Sequence, residues 1–211
     1  MFGSLLGLVF PPLCLACGSP SREGLCSRCV GSLERGGKCP PGWAPFAYEG
    51  LVRELIAEFK FRSNFAAGDA LSSLLAYNLP SDLPQCDVVV PVPLHPRKLR
   101  ERGFNQSAIL GRAVARALRI PCDPFVLERV RDTRPQFELE TEEERRENVR
   151  EAFRASSLKG KKVLLVDDVL TSGATADDCV RALTDAGAQG VFVAALSASQ
   201  RRKIDFEGGM L

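Results

Sequence analysis

Val163-Leu-Leu-Val-Asp-Asp-Val-Leu-Thr-Ser-Gly-Ala-Thr175 is the stretch that decides how the rest of the chain is read. Its four leading apolar residues predict a strand buried on both faces, the kind found in parallel sheets. Carboxylates are seldom buried without partners, so Asp167 and Asp168 are expected where that strand surfaces. The turn that follows, Thr171, Ser172, Gly173, Ala174 and Thr175, offers hydroxyls and backbone N–H groups around a glycine. It leads into a helical pattern, and a helix N-terminus favours an anion. In open parallel sheets ligands bind beyond the carboxyl ends of the strands, where this turn falls.

Two familiar phosphate loops are excluded, because the stretch has neither Gly-Lys-Thr/Ser nor G-x-G-x-x-G. Two acids would repel a bare phosphate. The combination suits a ligand with a phosphate and also a hydroxylated or metal-bearing part. Ribose 5-phosphate is such a ligand: carboxylates accept from vicinal hydroxyls while the turn holds the phosphate. Receiver domains of signalling proteins share Val-Asp-Asp and place magnesium on the acids, but the chain after Asp168 is short for their remaining strands. Acids that merely solubilise a strand end are the plainest alternative, and they leave the hydroxyl-rich turn unexplained.

Working outward, strand and helix patterns alternate. Trp43 to Tyr48 is expected as an edge strand, Leu51 to Phe61 and Ala66 to Tyr77 as amphipathic helices, and Asp87 to Pro93 as a buried strand halted by prolines. A long helix is expected from Gly103 to Leu118, a short strand at Phe125 to Leu127, and a capped helix opening at Thr141-Glu-Glu-Glu144. Ala174 to Ala186 reads as a helix stopped by Gly187, and Gly190 to Leu196 as a last strand. The Ser199 to Leu211 tail reads as frayed. Such alternation predicts an α/β fold with a parallel, Rossmann-like sheet flanked by helices.

The chain has 211 residues, 45% apolar and 26% charged, with a formal charge of +2, an ordinary globular composition. Charge is uneven along it. Between His95 and Arg119 stand Arg97, Lys98, Arg100, Arg102, Arg112, Arg116 and Arg119 against Glu101 alone. No apolar run is a transmembrane span, and the opening Phe2 to Leu15 has no basic residue ahead of it, so a cytoplasmic location is expected. His95 is the sole histidine, which weakens any mechanism that needs a histidine base.

Four of eight cysteines fall as Cys14-x2-Cys17-x8-Cys26-x2-Cys29. Two Cys-x-x-Cys turns can aim four thiolates at one point, which suits tetrahedral, structural Zn²⁺ in a knuckle-like module over residues 1–42. Two disulfides are the alternative, rare in a reducing compartment. Gly36 to Gly42 reads as a Gly/Pro-rich link, with the α/β domain taking residues 43–211. Cys39 stands apart without a neighbour two residues away; it is a vestigial or additional ligand, or neither. Cys86, Cys122 and Cys179 read as core thiols.

Val163 to Thr175 closely resembles the phosphoribosyl-pyrophosphate (PRPP) signature of type I phosphoribosyltransferases. Val90-Pro-Val-Pro93 continuing to Arg102-Gly-Phe-Asn-Gln106, Arg145-Arg-Glu-Asn-Val149 before Phe153, and the cysteines together resemble the ComF family of competence-associated proteins. Many relatives carry a further Cys-x-x-Cys, which Cys39-Pro-Pro-Gly42 lacks. The resemblance implies a type I phosphoribosyltransferase fold with an N-terminal zinc module. It implies that Asp167 and Asp168 bind the ribose hydroxyls, directly or through Mg²⁺, and that Thr171, Ser172, Gly173, Ala174 and Thr175 wrap the 5-phosphate. Arg102, with Arg97 or Lys98, would offset pyrophosphate held by the turn after Val90-Pro-Val-Pro93, and Lys60 would reach in from the hood side. Arg129 to Arg146 corresponds to a mobile loop, with Arg134 and Gln136 as candidates.

Two functions are carried forward. One is a PRPP-binding protein of natural competence that handles incoming single-stranded DNA beside the uptake machinery, with Arg97, Lys98, Arg100 and Arg102 following the phosphate backbone. The other is a phosphoribosyltransferase of nucleotide salvage or synthesis, moving phosphoribosyl to an acceptor that the sequence does not identify.

Overall fold

The computed structural model describes residues 12–132, 141 and 151–199. The expectations for Phe2 to Pro11, Arg134, Gln136, the helix opening after Thr141, Arg145 to Val149 and the last twelve residues lie outside them.

The quoted stretch forms the middle of the fold. Strand β6, Lys162–Leu170, lies between β3, Val88–Pro91, and β7, Gly190–Ala198, and pairs with both in parallel. On the far side of β7 come β2, Gly42–Ala47, also parallel, and β1, Arg35–Cys39, antiparallel to β2. The order is β1-β2-β7-β6-β3. Val163 to Val166 are each 0% exposed, as a strand covered on both faces requires. Their side chains alternate between two cores. Leu164 and Val166 join Val89 and Leu196 beneath helices α2 (Gly50–Arg62), α3 (Phe65–Tyr77) and α5 (Gln106–Leu118). Val163 and Leu165 join Val88, Val90 and Val193 beneath α6, Ala174–Asp185.

The structure departs from the sequence reading in several places. Gly36 to Gly42 is not a link: Arg35–Cys39 is the sheet's edge strand, joined to β2 through the cis Pro40-Pro41 turn. The sheet therefore begins inside the segment assigned to the metal module, and Trp43 to Tyr48 is an inner strand rather than an edge. Gly36 lies flat on β2, where an added Cβ would come within 2.3 Å of the Ala44 carbonyl. The basic stretch before α5 forms a helix of its own, α4, Pro96–Arg102. His95 caps it through Nδ1, which accepts from Arg97 N–H at 3.3 Å, and Gly103 ends it at φ 82°. Asn105 then caps α5 by accepting from Ser107 N–H at 3.0 Å. The basic cluster is thus itself helical, and the helix expected from Gly103 starts at Gln106.

A two-stranded sheet of β4, Leu127–Arg129, and β5, Phe153–Ala155, closes the side over α6. It replaces the strand expected at Phe125 to Leu127. Asp178 of α6 ties it down, accepting from the backbone N–H groups of Glu151, Ala152 and Phe153 at 3.1, 2.9 and 3.3 Å. Cys39 is 2% exposed in the core on the α6 face. No helix among the described residues is long and apolar enough to cross a membrane.

Candidate functional site

Two clusters of chemistry-bearing side chains stand out. The first is local. Gly18 and Gly24, at φ 70° and 78°, bend the chain so that Cys14, Cys17, Cys26 and Cys29 converge, with all four Sγ atoms within 4.8 Å of one another. Cys17 Sγ lies 3.6 Å from Cys26 Sγ, close to the roughly 3.8 Å edge of a tetrahedron built on a 2.3 Å metal–sulfur bond. Cys26 also caps α1, Ser27–Gly31, and its N–H donates to Cys14 Sγ at 3.3 Å. Hydrogen bonds from Ser19, then Arg28, hold the Cys17 thiol down at about 5, while Cys17 and Cys26 push Cys29 up to about 12. Thiols gathered this closely compete for one proton population, and a dication resolves that competition by taking all four as thiolates. The donor set therefore fits a metal ion. Cys39, in the opposite core, is not part of it.

The second cluster is built from distant parts of the chain. Strand β6 does not end at the acids. It stays paired with β7 through Asp167 with Ala195 and on to Leu170 with Ala198, so both carboxylates project from a strand rather than a loop. Neither stands free. Lys60 Nζ, from the last turn of α2, lies 2.8 Å from both oxygens of Asp168. Asp167 Oδ1 accepts from Ser107 Oγ at 2.9 Å and from Asp168 N–H at 2.8 Å. Burial, with the Asp168 charge beside it, raises the Asp167 carboxyl to about 7. The turn then brings Ser172 to 5% exposure and Gly173 to φ 76°, a conformation glycine adopts without strain, and α6 starts at Ala174.

These residues share a cleft of about 320 Å³. Asp167, Asp168, Thr171 and Thr175 form one wall, and Arg102, Gln106 and Ser107 with the Val92 to Leu94 turn form another. Tyr48, Lys60 and Phe61 form a third, and Arg129 closes the cleft. The Arg102 guanidinium lies 5.7 Å over the Phe61 ring; burial lowers its pKa, and Asp168 pulls the other way. Arg129 lies 5.3 Å over Phe153 and is likewise pushed down by burial. Two larger hollows exist. One of about 590 Å³ lies among Pro40, Trp43 and Pro84 at the amino ends of the strands, and one of about 630 Å³ lies along α4 and α5. Neither gathers acids and cations as the smaller cleft does, so chemistry rather than volume identifies the site.

Sequence reasoning named Lys60, Arg102, Asp167, Asp168 and the Thr171 to Thr175 turn; of these, Lys60, Arg102, Asp167, Asp168, Thr171 and Thr175 line one cleft, and Ser172, Gly173 and Ala174 do not. It did not name Ser107, Gln106, Tyr48, Phe61 or Arg129 for this site. Gln106 closes the Arg102-Gly-Phe-Asn-Gln106 block, which gave it no role in the site, and no local pattern distinguishes Ser107 from a helix-surface residue. Arg129 sits in the segment that was assigned to a mobile loop, but it belongs to β4.

The basic row divides. Arg102 turns into the cleft, while Arg97 is engaged by Glu101 at 3.0 Å and Asp132 at 3.5 Å. Arg112, Arg116 and Arg119 are exposed on α5. As for Mg²⁺, two neighbouring carboxylates are the right donors for a hard cation. In this arrangement, however, the Lys60 ammonium already covers both Asp168 oxygens, so the pair as it stands does not present a metal face.

Known proteins are similar to this chain in sequence. A family profile described as "Phosphoribosyl transferase domain" matches residues 105–207. The DNA utilization protein YhgH of Escherichia coli (strain K12) is 32% identical over 193 residues, covering 86% of this chain and 82% of the relative. Competence protein F of Haemophilus influenzae is 29% identical over 197 residues with the same coverage, 86% and 82%. Among solved structures, glutamine PRPP amidotransferase from B. subtilis superimposes with a TM-score of 0.43 at 26% identity, over 65% of this chain and 30% of that one.

Proposed function

The chain belongs to the ComF family of phosphoribosyltransferase-like proteins, and on that premise we propose that its cleft binds PRPP and that the protein acts in the use of incoming DNA. The observation that carries the reading is the convergence of Asp167, Asp168, Thr171 and Thr175 with Lys60 and Arg102 in one cleft. The acids accept from the ribose hydroxyls and the turn with the α6 N-terminus takes the 5-phosphate. Arg102, Arg129 and Lys60 balance the diphosphate. Lys60 already supplies positive charge at Asp168 in the ligand-free protein. The four thiols hold a structural Zn²⁺ that fixes the N-terminal module: Leu25 and Leu33 join the core of Phe46 and Leu71.

Handling of single-stranded DNA in the cytoplasm, beside the uptake machinery, is the biological setting favoured by relatives named for DNA utilization and competence. Of the residues assigned to it, Arg100 and Lys98 have not been committed to the cleft as Arg102 is. Backbone binding through such cations gives a steep fall of log K against log salt. A slope near zero with single-stranded DNA would remove the DNA role while leaving the PRPP site standing.

A second reading, turnover, is favoured by the third wall, where the 74% exposed Phe61 ring and Tyr48 both line the cleft. An aromatic acceptor would lie there. The bond from ribose C1 to pyrophosphate would break as the acceptor nitrogen bonds to C1 and loses its proton to solvent. The protein's part would be orientation and charge stabilisation of the leaving diphosphate. Incubation with PRPP and a panel of bases, read by pyrophosphate release, decides it: base-dependent release establishes turnover, and binding without release makes the protein a sensor or carrier.

A further inference from the structure

Helix α5 begins with three polar residues, and two of them have visible structural tasks. The Asn105 side chain caps the helix and donates to the Val92 carbonyl at 3.0 Å. Ser107 holds Asp167. Gln106 lies between them at 1% exposure and lines the cleft, yet its Nε2 has no hydrogen-bond partner among the described residues. A buried amide donor without an acceptor destabilises a fold, and such groups persist where something other than the fold employs them. Gln106 contributes no apolar packing that Leu or Met would not supply better.

The surroundings indicate what the donor meets. Gln106 shares its wall with Arg102 and the Val92 to Leu94 turn, and Arg129 also lines the cleft. It is the first residue of a helix of 13, where the axial dipole favours negative charge. The carboxylates that suit sugar hydroxyls line the same cleft but are already engaged, Asp167 Oδ1 by Ser107 and both Asp168 oxygens by Lys60. An NH₂ group with cations around it fits an oxyanion. We propose that Gln106 is a ligand-binding residue of the cleft, its carboxamide donating to an oxygen of the diphosphate group. The proposal rests on the PRPP reading and adds to it a residue that discriminates a diphosphate-bearing sugar from a monophosphate.

The test separates that role from a structural one. The full chain and its Gln106→Met and Gln106→Glu variants are titrated calorimetrically with PRPP, inorganic pyrophosphate and ribose 5-phosphate, and their melting temperatures are compared. Gln106→Met is expected to melt at or above the parent temperature. It should bind PRPP and pyrophosphate about tenfold or more weakly, the range for a lost hydrogen bond to a charged group, while ribose 5-phosphate changes less than about twofold. Gln106→Glu should lose still more affinity for pyrophosphate, through repulsion. The proposal is overturned if Gln106→Met binds pyrophosphate as the parent does, or if it weakens ribose 5-phosphate equally. If the parent protein itself binds none of the three, the PRPP reading falls and the Gln106 assignment with it. Parent binding that the variants keep removes the assignment alone.

Discussion

The cysteine cluster and the cleft place comparable densities of reactive groups in space, yet they arise in different ways. All four thiols come from residues 14–29, drawn together by two tight turns. The cleft draws on the segments just after β2 and β3 and on α2, α4, α5, β4, β6 and α6, with Lys60 and Asp168 separated by 108 positions. A site made by local spacing requires only the turns. A site made by long-range pairing requires the whole sheet in register, because shifting β6 by one residue would move every side chain to the other face. The first should fail by losing its ligand, and the second by losing either its charges or its frame.

The largest effect is expected at the thiols. Cys14→Ser with Cys26→Ser should take zinc from one per chain to none by elemental analysis. It should also lower stability by more than about 3 kcal/mol, because a structural metal contributes folding energy directly. Unchanged melting with zinc lost would show that the module is a passenger. Next comes the acid pair. Asp167→Asn with Asp168→Asn should remove about 3 kcal/mol of PRPP affinity, more than a hundredfold, with the fold retained. Unchanged PRPP stabilisation in a thermal-shift titration would break the assignment.

A smaller effect separates the two acids. Asp167 titrates near 7 in the folded protein, against 3.8 for an ordinary aspartate. Because the folded state binds this proton more tightly, its contribution to stability is complete below the ordinary value and is lost as pH rises through about 7. Taking the ligand-free protein from about pH 8 to about pH 5.5 should therefore raise its melting temperature relative to Asp167→Asn, in which this dependence is flattened. Lys60→Met should cost about 1–2 kcal/mol, since it leaves Asp168 unpaired at 15% exposure. The smallest change is expected on the surface. Arg97→Ala removes pairs that are 67% exposed on the arginine side and should leave the melting temperature unchanged. A loss would show that Asp132 is held in place through it.

The same contrast governs what could be read in advance. The β6 strand, α2, α3, α6 and the turn at Thr171 to Thr175 were legible, since period and caps are written in adjacent residues. Helix α4 was not assigned in advance, although His95, Pro96 and Gly103 mark its cap, first turn and stop. The edge hairpin at Arg35 to Ala47 was not legible. Gly36, Gly37, Pro40 and Pro41 read as a link, and only the approach of the Ala44 carbonyl to Gly36 shows why glycine belongs in a strand there.

By itself, the sequence determined the thiol spacing, the buried central strand with its two acids, and the family to which they point, all features whose interactions span a turn or two. The tertiary structure decided the rest: that Asp168 meets Lys60 and Asp167 meets Ser107, that Arg102 turns inward while Arg97 does not, and that Gln106 Nε2 is buried at the cleft without a hydrogen-bond partner among the described residues. The reason is that charge pairing and burial depend on separation in space, and one chain fixes that separation only after its strands have chosen their neighbours.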